Sequence, residues 1–209
     1  MLQPHHAAVF DLPFFQLAQI KRYCPERLDG IKAAHRSAWL VWRHTVENVA
    51  AQLGAEFAPP HIECWCNGWQ VRAHFFAYFK YMRYQDSAVI FSLLLNRRRL
   101  GVCLDWHSYR AAQSAVSLEQ YRQWLQALAG GDFDGFDMWR DSDGEYADYP
   151  TAAVQRAGGL DLAPGDFFCI GSHIERGVIG QTDSAAWLAA QIRALQPLYE
   201  ACFTGVEAT

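Results

Sequence analysis

The sequence predicts one α+β domain spanning residues 1–209, a central antiparallel sheet with helices from both termini packed on one face. Three observations predict it. Helical stripes of apolar residues occupy the two ends of the chain, and the middle third holds consecutive segments with strand length and strand periodicity. A four-residue polar turn, Asn96-Arg97-Arg98-Arg99, joins two of those segments as a hairpin. With 51 % hydrophobic and 19 % charged residues in 209, the chain can bury a core without metals or disulfides.

The elements follow in order. Asp11 to Tyr23 carries Phe14, Leu17 and Ile20 at helical spacing and stops at Cys24-Pro25. A stronger stripe runs from Ile31 to Leu53 through Ala34, Ala38, Val41, Trp42, Val46 and Val49, with Gly54 as its C-cap. Pro59-Pro60 marks residues 54 to 62 as loop. Val71 to Tyr81 alternates, with Val71, Ala73, Phe75, Ala77 and Phe79 on one side and Arg72, His74, Phe76, Tyr78 and Lys80 on the other. Ser87 to Leu95 and Leu100 to His107 complete three consecutive strands, and one or two more are expected at Phe136–Trp139 and Asp166–Ile174. Ser117 and Gln120 have capping-box spacing before a helix that runs to Gly130-Gly131. The acidic stretch from Asp132 to Gly165 reads mostly as loop, Thr182-Asp183 caps a closing helix over residues 184–203, and the tail after Gly205 should fray.

The four-residue turn pairs Leu95 with Leu100, and therefore Ser92 with Cys103, Ile90 with Asp105 and Ala88 with His107. If Met82 to Asp86 is the preceding turn, Tyr81 pairs with Ser87, which sets Lys80 beside Ala88, Tyr78 beside Ile90 and Phe76 beside Ser92. One face is then wholly apolar and should lie under the helices of residues 31–53 and 184–203. The other carries an amine, a phenol, a carboxylate and an imidazole around small residues, which is either a site or a half-buried polar face with a salt bridge.

Composition excludes some classes. A net charge of −4 gives neither duplex nucleic acid nor an anionic membrane a reason to attract the molecule as a whole. The N-terminus lacks a secretory pattern, and the longest apolar run, Ser87 to Leu95, is about half the ~18 residues a membrane helix needs, so a cytoplasmic protein is expected. Six scattered cysteines read as thiols. Aromatic residues make up 14 %, with eight tryptophans, which serves core filling before ligand stacking.

Few motifs carry chemistry. Asp105-Trp106-His107 puts a carboxylate and an imidazole on one side of a strand, ~6.5–7 Å apart between Cα atoms, as a general acid–base pair or as a structural polar pair. Arg110 just beyond can hold a phosphate or carboxylate bidentately, or pair with an acidic loop. His61, Cys64 and Cys66 lack the second ligand pair of a zinc site, so no metal is expected and the cysteines pack as small hydrophobes. The aspartates between Asp132 and Asp148 miss the calcium-loop pattern and read as a solvated loop; Arg97 to Arg99 read as a solubilising hairpin tip. No Gly-x-Gly-x-x-Gly or Walker signature is present, and no cofactor is expected.

The segments Phe75–Tyr81, Leu104–Ala111, Met138-Trp139-Arg140 with Glu145–Asp148, and Phe168–Gly171 resemble a small family of uncharacterised bacterial proteins, over most of the chain. Members of that family have sometimes carried the label glucose-6-phosphate 1-dehydrogenase, and the resemblance transfers no catalytic assignment residue by residue. It implies a bacterial cytoplasmic protein. The residues themselves nominate Asp105 and His107 as the acid–base pair and Tyr78, Lys80 and Arg110 as contacts for an anionic small molecule, with Asp105 orienting His107. The alternative class is a protein-interaction module without catalytic activity, and no reading of the chain fixes an oligomeric state.

Overall fold

The computed structural model describes residues 1–130 and 132–205. Gly131 and the tail after Gly205, where a helix end and fraying are expected, lie outside these residues. In chain order the helices are α1 (Pro4–Ala7), α2 (Leu17–Tyr23), α3 (Leu28–Leu53), α4 (Leu118–Tyr121), α5 (Trp124–Ala127), α6 (Ala152–Gly158) and α7 (Ser184–Ala201). The strands are β1 (His61–Ile62), β2 (Phe75–Phe79), β3 (Val89–Leu95), β4 (Arg99–Trp106), β5 (Asp137–Arg140) and β6 (Phe168–Glu175). They form one antiparallel sheet in the order β1-β2-β3-β4-β6-β5. The fold is α+β, with three sequential strands at its centre as the sequence predicts and three more around them.

Helix α3 buries Ile31, His35, Ala38, Trp42, Val46, Val49 and Leu53, one stripe at 3.6-residue period, and ends where Gly54 takes φ 92°. Helix α7 begins at Asp183, whose carboxylate accepts from Ala185 N at 2.9 Å and Ala186 N at 3.2 Å, satisfying two donors of the first turn. Both helices lie on the apolar face. Phe91 and Leu93 are fully buried there, and Phe91 stacks on Tyr199 of α7 at 4.5 Å between centroids. Each large side chain so buried contributes roughly 1.5–3 kcal/mol.

Three expectations about the helices need correction. The helix expected from Asp11 starts only at Leu17, because the preceding residues pair with another segment: Val71 N donates to Phe15 O at 3.0 Å and Leu17 N to Trp69 O at 2.9 Å. The helix after Ser117 keeps its capping box but breaks between α4 and α5, where Gln123, Leu125 and Gln126 bond to carbonyls three residues back. Helix α6, capped by Thr151, lies in a stretch expected to be loop.

The β3–β4 register is the one derived from the turn, with Leu95 opposite Leu100, Ser92 opposite Cys103 and Ile90 opposite Asp105. The β2–β3 register differs by two residues: Tyr78 faces Ser92 and Phe76 faces Leu94. The connection is longer than expected because Met82–Tyr84 coils into a 3-10 turn, and Lys80 Nζ reaches in to donate to the carbonyls of Gln85 and Ser87. Lys80 therefore falls level with Ile90 and Asp105, not with Ala88. A shift of two preserves the faces, so the polar side chains stay on the polar side.

Candidate functional site

The polar face of the sheet carries a cavity of about 580 Å³. Its floor is low because small residues occupy the centre: Ser92, Gly101, Cys103 and Cys169 line it, and Gly171 lies opposite Cys103. A Cβ on Gly171 would meet Val102 O at 2.1 Å and Cys103 Cβ at 2.5 Å, so no side chain fits at that register position. Within the floor Ser92 Oγ and Cys103 Sγ are 3.0 Å apart, and Cys169 Sγ donates to Asp105 Oδ1 at 3.3 Å.

The acidic loop over residues 141–150 roofs the cavity, contributing Asp141, Asp143, Glu145 and Tyr149. It is clasped to the β3–β4 hairpin tip. Asn96 Nδ2 donates to Glu145 Oε1 at 2.8 Å, Arg98 Nη1 to Tyr146 O at 2.5 Å and Arg99 Nη2 to Ala147 O, while Arg98 also pairs with Asp148. Arg99 lies 4.6 Å over the Tyr149 ring, which stacks on Trp139 at 4.2 Å. Two of the three arginines expected to solubilise the tip, Arg98 and Arg99, thus hold a roof. Burial pushes the Tyr149 hydroxyl up to about 12.

The cavity is long. Six steps along β4 from Arg99 to Asp105 span about 20 Å, and both residues line it. At the hairpin-tip end, His74 Nδ1 lies 2.9 Å from Glu145 Oε2 and Arg72 Nη2 lies 3.2 Å from Glu63 Oε2. Burial works against the charge of Glu145, yet hydrogen bonds from His74 and Asn96 prevail and hold its carboxyl below the usual range. His173 Nδ1 sits 2.5 Å from Asp137 Oδ2, and its Nε2 lies 3.3 Å from Glu175 Oε1. At the other end stand Asp105, His107 and Tyr109, with Asp105 raised above the carboxylate range by burial. Among the described residues no group of three or more His, Cys, Asp or Glu side chains is arranged to hold a metal ion, and no helix is long and apolar enough to cross a membrane.

A protein-family model matches residues 2–202. A Haemophilus influenzae protein bearing the name "Uncharacterized protein" is 49 % identical over 195 residues, covering 93 % of this chain and 94 % of its own length. The chain belongs to an uncharacterised family of bacterial proteins.

On this family scaffold the nominated residues separate into two groups. Asp105 and His107 line the cavity. They share no hydrogen bond among the described residues: Asp105 Oδ1 accepts from Cys169 and from Trp106 N, and His107 Nδ1 is buried without a partner. Tyr78, Lys80 and Arg110 do not line the cavity. Tyr78 stacks on the ring of His61 at 4.8 Å and lies tilted by 41° against that of His107 at 5.4 Å. The ammonium of Lys80 caps its turn 5.6 Å from the Tyr78 ring centroid, and burial followed by the charge of Arg110 lowers its pKa. Arg110 is exposed in the 3-10 turn Ser108–Gln113.

Sequence reasoning passed over His74, Glu145, Asp137 and His173. His74 already stands on the polar side of the alternating segment, which is a usable signal. Its partner Glu145 is 71 residues away in a loop, and nothing local announces that contact.

Proposed function

We propose that the polar face of the sheet binds a small anionic molecule, with the anionic group at the His107 end of the cavity. The observation that carries this reading is a concavity large enough for a metabolite-sized ligand with the His107 imidazole on its wall and the exposed Arg110 three residues further on. The pKa of His107 is lowered by burial first; Asp105 pulls it up, while Lys80, Arg110 and His61 push it down, so three further basic groups lie within electrostatic reach of this imidazole. Arg110 makes no side-chain hydrogen bond or ion pair among the described residues, and its exposed fork is free to swing onto a carboxylate or phosphate. Lys80, committed to two backbone carbonyls, contributes through its field, and Tyr78 packs at a tilt against the His107 ring.

The test is a thermal-shift titration with inorganic phosphate, sulfate and small dicarboxylates at pH 5.5 and 7.5, since a ligand of the native state raises the melting temperature with its concentration. The expected shift is larger at the lower pH, because the imidazole accepts its proton only below the ordinary value of 6.5. His107→Gln should abolish the pH dependence and Arg110→Gln should weaken the shift. Absence of any shift, or shifts indifferent to both substitutions, would remove the anion site.

A further inference from the structure

We propose that His74 is the general base of an ester-hydrolysing centre at the hairpin-tip end of the same cavity. The proposal rests on the reading of that cavity as a ligand site, though not on the anion end about 20 Å away along β4.

The geometry is that of an oriented imidazole. Nδ1 of His74 faces Glu145 Oε2 at 2.9 Å; the other oxygen of Glu145 accepts from Asn96 Nδ2 at 2.8 Å; and Asn96 Oδ1 accepts from the backbone N–H groups of Arg98 and Arg99, each at 2.8 Å. The chain of contacts is rooted in the β3–β4 hairpin. It fixes the ring and keeps the Nδ1 proton toward the carboxylate, which leaves the lone pair on Nε2. Nε2 makes no hydrogen bond among the described residues and is not one of their buried unpartnered atoms, while His74 lines the cavity, so Nε2 is open to it. The lowered pKa of Glu145 agrees with a carboxylate that stays ionised to hold the ring.

Ser92 and Cys103 are engaged with each other at 3.0 Å, nearer the other end, so water is the nucleophile. In the step, Nε2 takes a proton from water as the water oxygen bonds to the ester carbonyl carbon. The resulting oxyanion is offset by the positive charge of Arg72, which lines the cavity two residues from His74. The C–O bond to the alcohol then breaks, and the alcohol leaves with the proton from Nε2. Glu63 and Glu145, the partners of Arg72 and His74, also line this end, and their charge repels a phosphodiester while admitting a neutral carboxylic ester.

The probes are p-nitrophenyl acetate and p-nitrophenyl butyrate, given to the wild type and to His74→Gln, Glu145→Gln and His44→Gln. His44, exposed on α3, reports adventitious imidazole catalysis. Saturable turnover should fall about 100-fold or more in His74→Gln, fall less in Glu145→Gln, and persist in His44→Gln. If His74→Gln fails to fold, carbethoxylation of the wild type should abolish turnover in step with modification mapped to His74. No turnover above imidazole background, or turnover that survives loss of His74, overturns the proposal. The anion-induced thermal shift should survive His74→Gln, so the two readings fail separately.

Discussion

The two faces of the sheet use the same strands at alternate positions and are built on opposite rules. On the apolar face, Phe91, Leu93, Leu100 and Leu104 are fully buried under helices, and each is held by the bulk of its neighbours. On the polar face the centre is deliberately small, and what fills the space above it is a loop held by hydrogen bonds and ion pairs from the hairpin tip. Bulk decides one face and specific pairing decides the other. Substitutions on the first should register as stability, and substitutions on the second mainly as changes in binding.

The largest effect belongs to the apolar face. Phe91→Ala removes a ring that stacks on Tyr199 and tilts against Phe57, and should cost about 3–5 kcal/mol by urea unfolding. A loss below about 1 kcal/mol would mean that the helices do not depend on this face.

The glycines of β4 and β6 sharpen the comparison within the polar face itself. Gly171→Ala drives a Cβ to 2.1 Å from Val102 O, a backbone atom that cannot step aside without opening the β4–β6 ladder; a loss of about 1–3 kcal/mol is expected. Gly101→Ala meets only Ser172 O at 3.6 Å and His173 Cβ at 3.8 Å, so its stability should change by less than about 1 kcal/mol while its methyl group shallows the floor. Unfolding curves for the pair, read beside their anion-induced thermal shifts, separate a ladder defect from a cavity defect. Equal losses of stability would show that the floor has no spare room.

The same contrast explains what was legible in the sequence. The apolar face follows from alternation, because whether Val89, Phe91 or Leu93 is buried is decided within its own strand. The β3–β4 register follows from the length of one turn. The β2–β3 register does not, since the extra residues are taken up by a 3-10 turn and the residues after it, whose Gln85 and Ser87 carbonyls accept from Lys80 just past the end of β2. Asp105 and His107 could be placed on the polar face by parity alone. The roof could not, because Glu145 meets His74 across 71 residues and Asn96 across 49, and a loop rich in aspartate looks the same whether solvated or clasped.

The smallest expected effect has the opposite sign. Asp105 sits at the cavity floor with its carboxyl raised by burial, an effect that hydrogen bonds from Cys169, the Trp106 N–H and Ser92 and the charge of His107 only partly offset. An acid whose folded pKa lies above its unfolded one binds more protons in the native state. Stability therefore falls as pH climbs from about the ordinary 3.8 toward the raised value, and remains lower above it. Asparagine retains an oxygen for Cys169 Sγ and for Trp106 N, the partners at 3.3 and 2.7 Å, and never acquires the charge. Asp105→Asn should consequently melt higher than the wild type at pH 7, with the advantage shrinking toward pH 4, as followed by melting temperature across that range. A lower melting temperature at pH 7 would mean that the ionised carboxylate is paired, with His107 as its partner, and would make this end of the polar face structural. A carboxylate kept at a cost to stability, on the floor of a cavity, is instead what a face retained for binding contains.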